Sequence, residues 1–257
     1  MLEAARVDFR EQLPELDETF LSIWAAHYSA ISSLARPASK ILEIGTGYAI
    51  LAAGLGRQNG TQVLGLEHPS RGYFFAPDYL EFLHKNNVVL VGADLLEGLP
   101  LKSKTLAQVY CCDVIEHLQP EVALQTFFEA NRVLISGGEL ILSTPNLCRL
   151  SNICRLLTGN TVNPPLVPDS WGKTLGHVRE FAPREIALYL SRSGFEPAAF
   201  RYEYNPYFTK EAFGDDNVWS KRQAKWINRL TRTGCRFLPR LGDEVYILAR
   251  KVKNTHV

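Results

Sequence analysis

The feature that most constrains the fold is an alternation of short apolar runs with segments of helical periodicity. The apolar runs have the length of strands, and the segments between several of them have the length of helices. The predicted strands are 41–44, 62–66, 88–91, 106–112 and 139–143, and the predicted helices are 50–55, 78–85 and 121–134. Repeated strand–helix units predict an α/β fold with a parallel sheet, helices on both faces and ligand sites at the carboxyl ends of the strands.

The two ends of the chain extend this pattern. Residues 1–36 predict an N-terminal helical segment, and residues 37–257 predict one domain. A helix is predicted at 183–193, and two final strands, at 198–204 and 244–251, are predicted to pair antiparallel with each other. The expected sheet is therefore Rossmann-like, seven-stranded and mostly parallel, with one antiparallel edge strand. Residues 147–176 contain prolines and asparagines without periodicity, which predicts an insertion or lid.

Composition narrows the class of protein. The chain is 46% hydrophobic and 21% charged, which is typical of a soluble globular protein, and its net charge of +1 argues against nucleic acid as a partner. Charged residues interrupt the first 17 positions, so no signal peptide is predicted. The five cysteines have neither zinc-site nor disulfide-framework spacing. We therefore expect a reduced, cytoplasmic compartment.

A glycine-rich turn follows the first predicted strand. Glycine allows the backbone to approach a ligand where a side chain would collide. A dinucleotide fingerprint needs a small residue at position 50, and this chain has Ile50. A nucleoside–methionine site uses the pattern G-x-G-x-G instead, and the chain offers Gly45, Gly47 and Ala49. The spacing favours the second ligand class.

Carboxylates follow the next two predicted strands. Glu67 ends the second strand, where its carboxylate could accept hydrogen bonds from both hydroxyls of a ribose. Asp94 follows the third strand, where it could meet an adenine amino group. The alternatives are a solvated loop charge for Glu67 and a turn or helix cap for Asp94. The glycine turn and both carboxylates at successive strand ends favour the ligand site.

Several segments together resemble one family. They are 41–51, 94–100, 113–118, 132–138 and 143–146. In combination they resemble the class I S-adenosylmethionine-dependent methyltransferases, and most of all the branch that contains the ubiquinone-biosynthesis O-methyltransferases, over about residues 38–195. The resemblance implies S-adenosylmethionine as cofactor, although Ala49 stands where the family usually has a third glycine. It implies a cofactor pocket formed by Glu43, Gly45, Thr46, Gly47, Glu67, Asp94, Leu95 and Asp113.

A candidate catalytic cluster follows the fourth predicted strand. Asp113, Glu116 and His117 have i, i+3, i+4 spacing, which predicts one helical face, and His177 could close the site from the lid. Such a set could act as an acid–base cluster or bind Mg²⁺ or Mn²⁺. It is similar to the metal ligands of small-RNA 3′-end 2′-O-methyltransferases. The alternative is structural: Glu116 and His117 cap a helix or bind Arg179, and His177 shapes a turn.

Residues 201–240 carry a net charge of +5. Trp219, Trp226, Ile227 and Leu230 share one helical face within this basic segment. The segment could cover the acceptor pocket, contact an anionic membrane through about 217–232, or hold a phosphorylated acceptor. We favour packing of this aromatic face on the domain.

The expected activity is O-methylation of a small-molecule, sugar or lipid-linked hydroxyl, so the expected partner is a small-molecule or glycan acceptor. Two alternatives remain open at this stage: a metal-dependent RNA 3′-end 2′-O-methyltransferase, and a non-catalytic S-adenosylmethionine-binding module. The acceptor, the oligomeric state and the role of the aromatic loop 68–77 do not follow from the sequence.

Overall fold

A seven-stranded sheet forms the centre of the protein. The computed structural model describes residues 27, 29–58, 60–71, 74–159, 161–162, 177–204 and 221–255. The strands are β1 (Lys40–Ile44), β2 (Gln62–Glu67), β3 (Val88–Gly92), β4 (Leu106–Cys112), β5 (Leu134–Pro145), β6 (Phe195–Glu203) and β7 (Glu244–Lys251). Their order in the sheet is β3-β2-β1-β4-β5-β7-β6. The first five pair in parallel, and β7 pairs antiparallel with both β5 and β6.

Among the described residues, six α-helices surround this sheet, besides the helical residues 29–32 near the start of the described chain. They are α1 (Ile50–Gly56), α2 (Pro77–Lys85), α3 (Pro120–Val133), α4 (Leu150–Leu157), α5 (Pro183–Arg192) and α6 (Lys221–Phe237). Proline occupies the first turn of α2, α3 and α5, where its missing N–H leaves no intrahelical bond unmade. The predicted alternation of strands and helices is confirmed.

The sheet is buried on both faces because successive side chains of a strand point to opposite sides. On β1, Leu42 and Ile44 belong to one apolar cluster, whereas Ile41 belongs to the other. On β4, Cys111 packs into the first cluster and Tyr110 into the second. Central strands of this kind read as continuous apolar runs, which is why they were visible in the sequence.

Two details of the sheet differ from expectation. The turn predicted at 136–138 lies inside β5, where the pairing with β4 shifts register and Gly137 has φ 71°. An extra stretch in one strand is a bulge, and glycine accepts its left-handed backbone conformation. The antiparallel strand was predicted at the edge, but β7 is second from the edge and β6 lies outside it.

The segment predicted as an irregular lid is partly helical. α4 occupies Leu150–Leu157, and Arg149, Ser151 and Asn152 are buried. Buried polar side chains at its start hid the apolar periodicity. Residues 163–176 of the predicted lid and residues 1–26 of the predicted N-terminal helix lie outside the described residues. Residues 29–32 are helical, as expected. No described helix is long and apolar enough to span a membrane.

Candidate functional site

The predicted site residues converge at one edge of the sheet. Because the first five strands are parallel, all their carboxyl ends meet there. The register pairs Ile44 of β1 with Leu66 of β2 and with Cys111 of β4. Each of these three residues is followed within two positions by a predicted site residue, so the glycine turn, Glu67 and Asp113 lie side by side.

The turn after β1 requires its glycines for different reasons. Gly45 has φ 72°, and a Cβ there would lie 2.5 Å from Cγ2 of Val114. Gly47 has φ 54°, but a Cβ there would meet nothing closer than the carbonyl oxygen of Gly45 at 4.0 Å. Ala49 takes the third left-handed position with φ 59°, just before α1. Gly45 is therefore packed against the protein, whereas Gly47 borders open space.

Glu67 holds this turn through its side chain. Its Oε2 accepts a hydrogen bond from the Gly47 N–H at 2.8 Å, and its Oε1 accepts one from the His68 N–H at 2.8 Å. Arg71 Nε lies 3.6 Å from Oε1. A carboxylate has about four acceptor positions, so these contacts leave capacity for a ligand hydroxyl. The predicted ribose contact stays a prediction.

Asp94 lies in the next loop. Its Oδ1 accepts a hydrogen bond from the Leu96 N–H at 2.9 Å, and its Oδ2 lies 3.7 Å from His68 Nε2. The Asp94 side chain remains 40% exposed, so it stabilises a turn and stays accessible to a ligand. Leu95 is half-buried against the core.

Two other predicted cofactor residues point inward. The Thr46 hydroxyl is buried within hydrogen-bonding distance of the carbonyl oxygens of Glu43 and Leu66. Burial raises the pKa of Glu43 well above its ordinary value, and the neighbouring Glu67 charge adds to this effect. Glu43 also accepts from the backbone of Ala52, so it lies beneath the turn. Both side chains support the turn from below.

The predicted four-residue cluster divides into two. Asp113 has φ 53° and ends the strand instead of starting a helical turn, and a short 3₁₀ helix then covers Ile115–His117. The i, i+3, i+4 expectation of one helical face is therefore wrong. Asp113 Oδ2 lies 3.5 Å from Nε2 of His27, while its Oδ1 accepts from the Ser143 hydroxyl at 3.0 Å.

Glu116, His117 and His177 do come together. One ligand atom from each lies within 4.8 Å of the others, and the two imidazole centroids are 5.0 Å apart. Glu116 is fully buried; its Oε2 accepts from the Thr144 hydroxyl at 2.9 Å, and its Oε1 has no hydrogen-bond partner among the described residues. Burial raises the pKa of Glu116 well above its ordinary value, and the nearby Asp113 charge adds to this.

Backbone contacts bring His177 to this cluster. The Arg179 N–H donates to the Glu116 carbonyl oxygen at 3.1 Å, and Asn146 forms a bridge with Phe181. The Arg179 guanidinium pairs with Glu185. The alternative in which the Arg179 side chain binds Glu116 or His117 is therefore wrong. Glu180, the next residue, lies 3.7 Å from His177 through Oε1.

A second cluster was missed in the sequence. His27 Nε2 lies 3.3 Å from Glu244 Oε1 and 3.5 Å from Asp113, and its Nδ1 lies 3.3 Å from the Tyr246 hydroxyl. His27, Glu244 and Tyr246 are buried. The signal was available for β7: an antiparallel strand beginning at Glu244 starts at the same edge where β5 ends. His27 offered no comparable signal, because the sequence predicted an N-terminal helical segment but not where that segment packs on the sheet.

Both clusters combine imidazole nitrogen with carboxylate oxygen, a donor set that suits Mn²⁺, Zn²⁺ or Fe²⁺. At Glu116, an unpartnered, buried carboxylate oxygen beside two imidazoles fits a cation or an imidazolium. Asp113 groups with His27 and Glu244 instead, so the predicted metal set loses this member.

Comparisons with known proteins agree with this geometry. Residues 42–142 match the family described as methyltransferase domain. Among solved structures, an S-adenosylmethionine-dependent methyltransferase from Archaeoglobus fulgidus is 20% identical, with 95% of this chain and 98% of that chain covered and a TM-score of 0.57.

Two further structures show how widely the fold is used. A geranyl diphosphate methyltransferase in complex with GPP and sinefungin is 14% identical, with 91% of this chain and 81% of that chain covered and a TM-score of 0.59. The cyclase SpnF is 15% identical over 88% of this chain and 80% of that chain, with a TM-score of 0.55. At these identities the likeness shows the fold alone.

Proposed function

We propose that this S-adenosylmethionine-dependent methyltransferase, whose residues 42–142 match a methyltransferase domain, methylates a hydroxyl oxygen of a small-molecule, sugar or lipid-linked acceptor. The observation that carries this proposal is the buried Glu116 carboxylate, which groups with two imidazoles at the carboxyl edge of the sheet and has one oxygen, Oε1, without a hydrogen-bond partner among the described residues.

The cofactor side of the site uses the turn after β1. Gly47 borders open space, Glu67 keeps free acceptor capacity beside it, and Asp94 is accessible in the loop after the third strand. These three residues fit a nucleoside: the turn lets it approach the backbone, and the two carboxylates accept from ribose hydroxyls and an adenine amino group. Bound S-adenosylmethionine supplies a methyl group already activated by its sulfonium.

The acceptor side must remove a proton. An alcohol has a pKa far above neutrality, so alignment alone leaves a poor nucleophile, and a base near neutral pKa accelerates the transfer. A neutral imidazole of His117 or His177 accepts the hydroxyl proton in this proposal. The Glu116 and Glu180 carboxylates then stabilise the imidazolium, because each lies against the histidine pair.

The same residues could hold a divalent cation. Glu116, His117 and His177 would be its three ligands among the described residues, and such an ion would lower the pKa of the acceptor hydroxyl. Glu116 is needed whether an imidazole base or a bound cation activates the hydroxyl, so the first test does not depend on which of the two mechanisms operates.

The test compares two isosteric variants. Glu116→Gln should lower methyl transfer from radiolabelled S-adenosylmethionine to a panel of hydroxyl acceptors by about 10²–10⁴-fold, because it removes the ionisable carboxyl group beside the imidazoles. Calorimetric affinity for S-adenosylhomocysteine should be unchanged. Glu121→Gln, at an exposed position on α3, is the matched control and should match the wild type in both.

Two results would contradict the proposal in different ways. If product analysis finds the methyl group on nitrogen or carbon, the proposed O-methylation is wrong, whereas the assignment as a methyltransferase stands. Tight S-adenosylhomocysteine binding without transfer to any acceptor class, in wild type and variants alike, identifies a binding module instead.

A further inference from the structure

The outer face of α6 exposes large apolar side chains. Trp226, Leu230 and Phe237 are 59%, 55% and 80% exposed. Their spacing of four and seven residues places them on one stripe of the helix. Ile227 and Thr231 are buried and attach the helix to the protein. The preference for an aromatic face packed on the domain is therefore wrong for Trp226 and Leu230, and Trp219 lies outside the described residues.

A row of positive charge runs beside this stripe. Lys225, Arg229, Arg232 and Arg236 are all exposed, and three of them, Lys225, Arg229 and Arg236, each lie one position before a residue of the apolar stripe. α6 carries six lysines and arginines and no aspartate or glutamate, so the rest of the chain is net −5. Positive charge is thus concentrated next to exposed apolar area.

α4 lies against α6 and extends the apolar area. A Cβ on Gly234 would lie 3.8 Å from Leu150 Cδ2, so the two helices approach closely there. On α4, Leu156 is 61% and Leu157 81% exposed, and Ile153 shares their face. We call the exposed apolar and basic residues of these two helices the α4–α6 surface. Exposed apolar side chains on adjacent helices are typical of an interaction site.

This surface is attached directly to the candidate site. Arg149, just before α4, pairs at 2.7 Å with Glu180, the residue that contacts His177. Asn146 donates hydrogen bonds to the carbonyl oxygens of Arg240 and Gly242, which follow α6. Both helices are therefore fixed to the loops that form the acceptor side.

We propose that the α4–α6 surface binds anionic lipid bilayers, and that the acceptor is an amphipathic molecule taken up from the bilayer surface. A helix in the bilayer interface buries its apolar stripe among acyl chains while its arginines meet anionic headgroups. The tryptophan suits this interface because its ring is apolar and its N–H is polar. The acceptor class rests on the proposed function, whereas membrane binding does not.

Charge and shape favour a membrane over other partners. The cores of protein interfaces are depleted in charged residues, but here four cations adjoin the apolar stripe. RNA would engage the cations, yet it offers nothing to the aliphatic side chains of Leu156, Leu157 and Leu230. A bilayer satisfies both at once.

The experiment is flotation of the full chain with vesicles of phosphatidylcholine, alone or mixed with phosphatidylglycerol. We expect binding to the anionic vesicles alone, weakened by salt. Arg229→Gln with Arg232→Gln should lower partitioning about fivefold for each arginine. Trp226→Gln with Leu230→Gln should lower it about tenfold or more, since two large apolar groups are lost. The controls are Leu188→Gln and Arg192→Gln, exposed positions of α5, which should bind like the wild type.

Calorimetry without vesicles separates this proposal from the proposed function. The α6 variants should bind S-adenosylhomocysteine like the wild type, which also shows that they fold. Equal flotation with neutral and anionic vesicles, or equal flotation of variants and wild type, overturns the proposal. So does single-stranded RNA binding, or self-association in sedimentation, that requires the same four residues while vesicles do not bind.

Discussion

Nδ1 of His177 lies 3.7 Å from Oε1 of Glu180, a carboxylate that is 3% exposed. Burial alone would raise the pKa of Glu180, but its contacts with His177, Arg149 and Asn152 outweigh burial and lower it. The carboxylate is therefore ionised and fixes one ring nitrogen of His177. The same imidazole belongs to the cluster with Glu116 and His117.

Glu180→Gln should therefore impair catalysis without touching the cofactor. Loss of a carboxylate that orients a histidine lowers activity about 10–100-fold, and we expect a fall in kcat with little change in KM for S-adenosylmethionine. The free energy of unfolding should fall by about 3–5 kcal/mol, because Arg149 keeps a buried charge without its partner. Glu185→Gln, which breaks the more exposed pair with Arg179, is the control and should change neither value appreciably.

Glu67→Ala should weaken cofactor binding. The substitution removes acceptors from the Gly47 and His68 N–H groups as well as the proposed ribose contact. Calorimetry should show S-adenosylhomocysteine affinity reduced by about 1–3 kcal/mol, the usual effect of losing hydrogen bonds to a charged group. Glu81→Ala removes an exposed glutamate paired with Lys85 and should bind like the wild type. Unchanged affinity in Glu67→Ala would remove this residue from the cofactor site.

The sequence predicted the sheet well because buried parallel strands leave a signal that needs no tertiary information. β4 and β7 begin and end at the predicted residues, and α1 and α5 end within one residue of prediction. Because the strand ends were predicted correctly, the residues that follow β1 and β2 were also placed correctly, and the Gly45 turn and Glu67 are adjacent.

The errors arose where long-range contacts override local pattern. Asp113 takes a left-handed φ of 53° and contacts His27, which lies 86 positions earlier in the chain, so local spacing could not place it. Asn146 follows β5, and its buried amide donates to the carbonyl oxygens of Arg240 and Gly242, a contact that depends on how the chain returns to the sheet after α6.

Gly45→Ala should destabilise the fold more than Gly60→Ala, because Gly60 has no neighbouring atoms where a Cβ would lie. Both Gly45 and Gly60 have positive φ, 72° and 76°, so alanine is strained at either position. At Gly45 the new methyl would also lie 2.5 Å from Val114 Cγ2, whereas at Gly60 it meets nothing within 4 Å. Chemical denaturation should show a loss of about 1–3 kcal/mol more for Gly45→Ala. Adding Val114→Ala should recover part of that difference, and equal losses at both glycines would show that the contact with Val114 is unimportant.

Stability should fall as pH rises above the ordinary glutamate range. Burial raises the pKa of Glu116 and of Glu43, so the folded state binds more protons than the unfolded state between the ordinary pKa of about 4.3 and the raised values. In this window the free energy of unfolding decreases with increasing pH, and above the raised pKa the loss is complete. Glu116→Gln should flatten part of this decrease in urea titrations, and Glu43→Gln another part. A steeper decrease in either variant would contradict the assignment.

Chelation distinguishes a metal from a base at the Glu116 cluster. If a divalent cation is held by Glu116, His117 and His177, exhaustive chelation should abolish methyl transfer and leave S-adenosylhomocysteine affinity unchanged, because the cofactor turn contains none of these ligands. His117→Ala should give the same two results, and Mn²⁺ should raise the melting temperature of the wild type but not of this variant. His84→Ala, in the last turn of α2, is the control and should respond to Mn²⁺ like the wild type. Transfer that survives chelation but is lost in His117→Ala makes the histidine a general base. Full activity in His117→Ala removes both roles, and catalysis then depends on alignment of the acceptor with the sulfonium methyl.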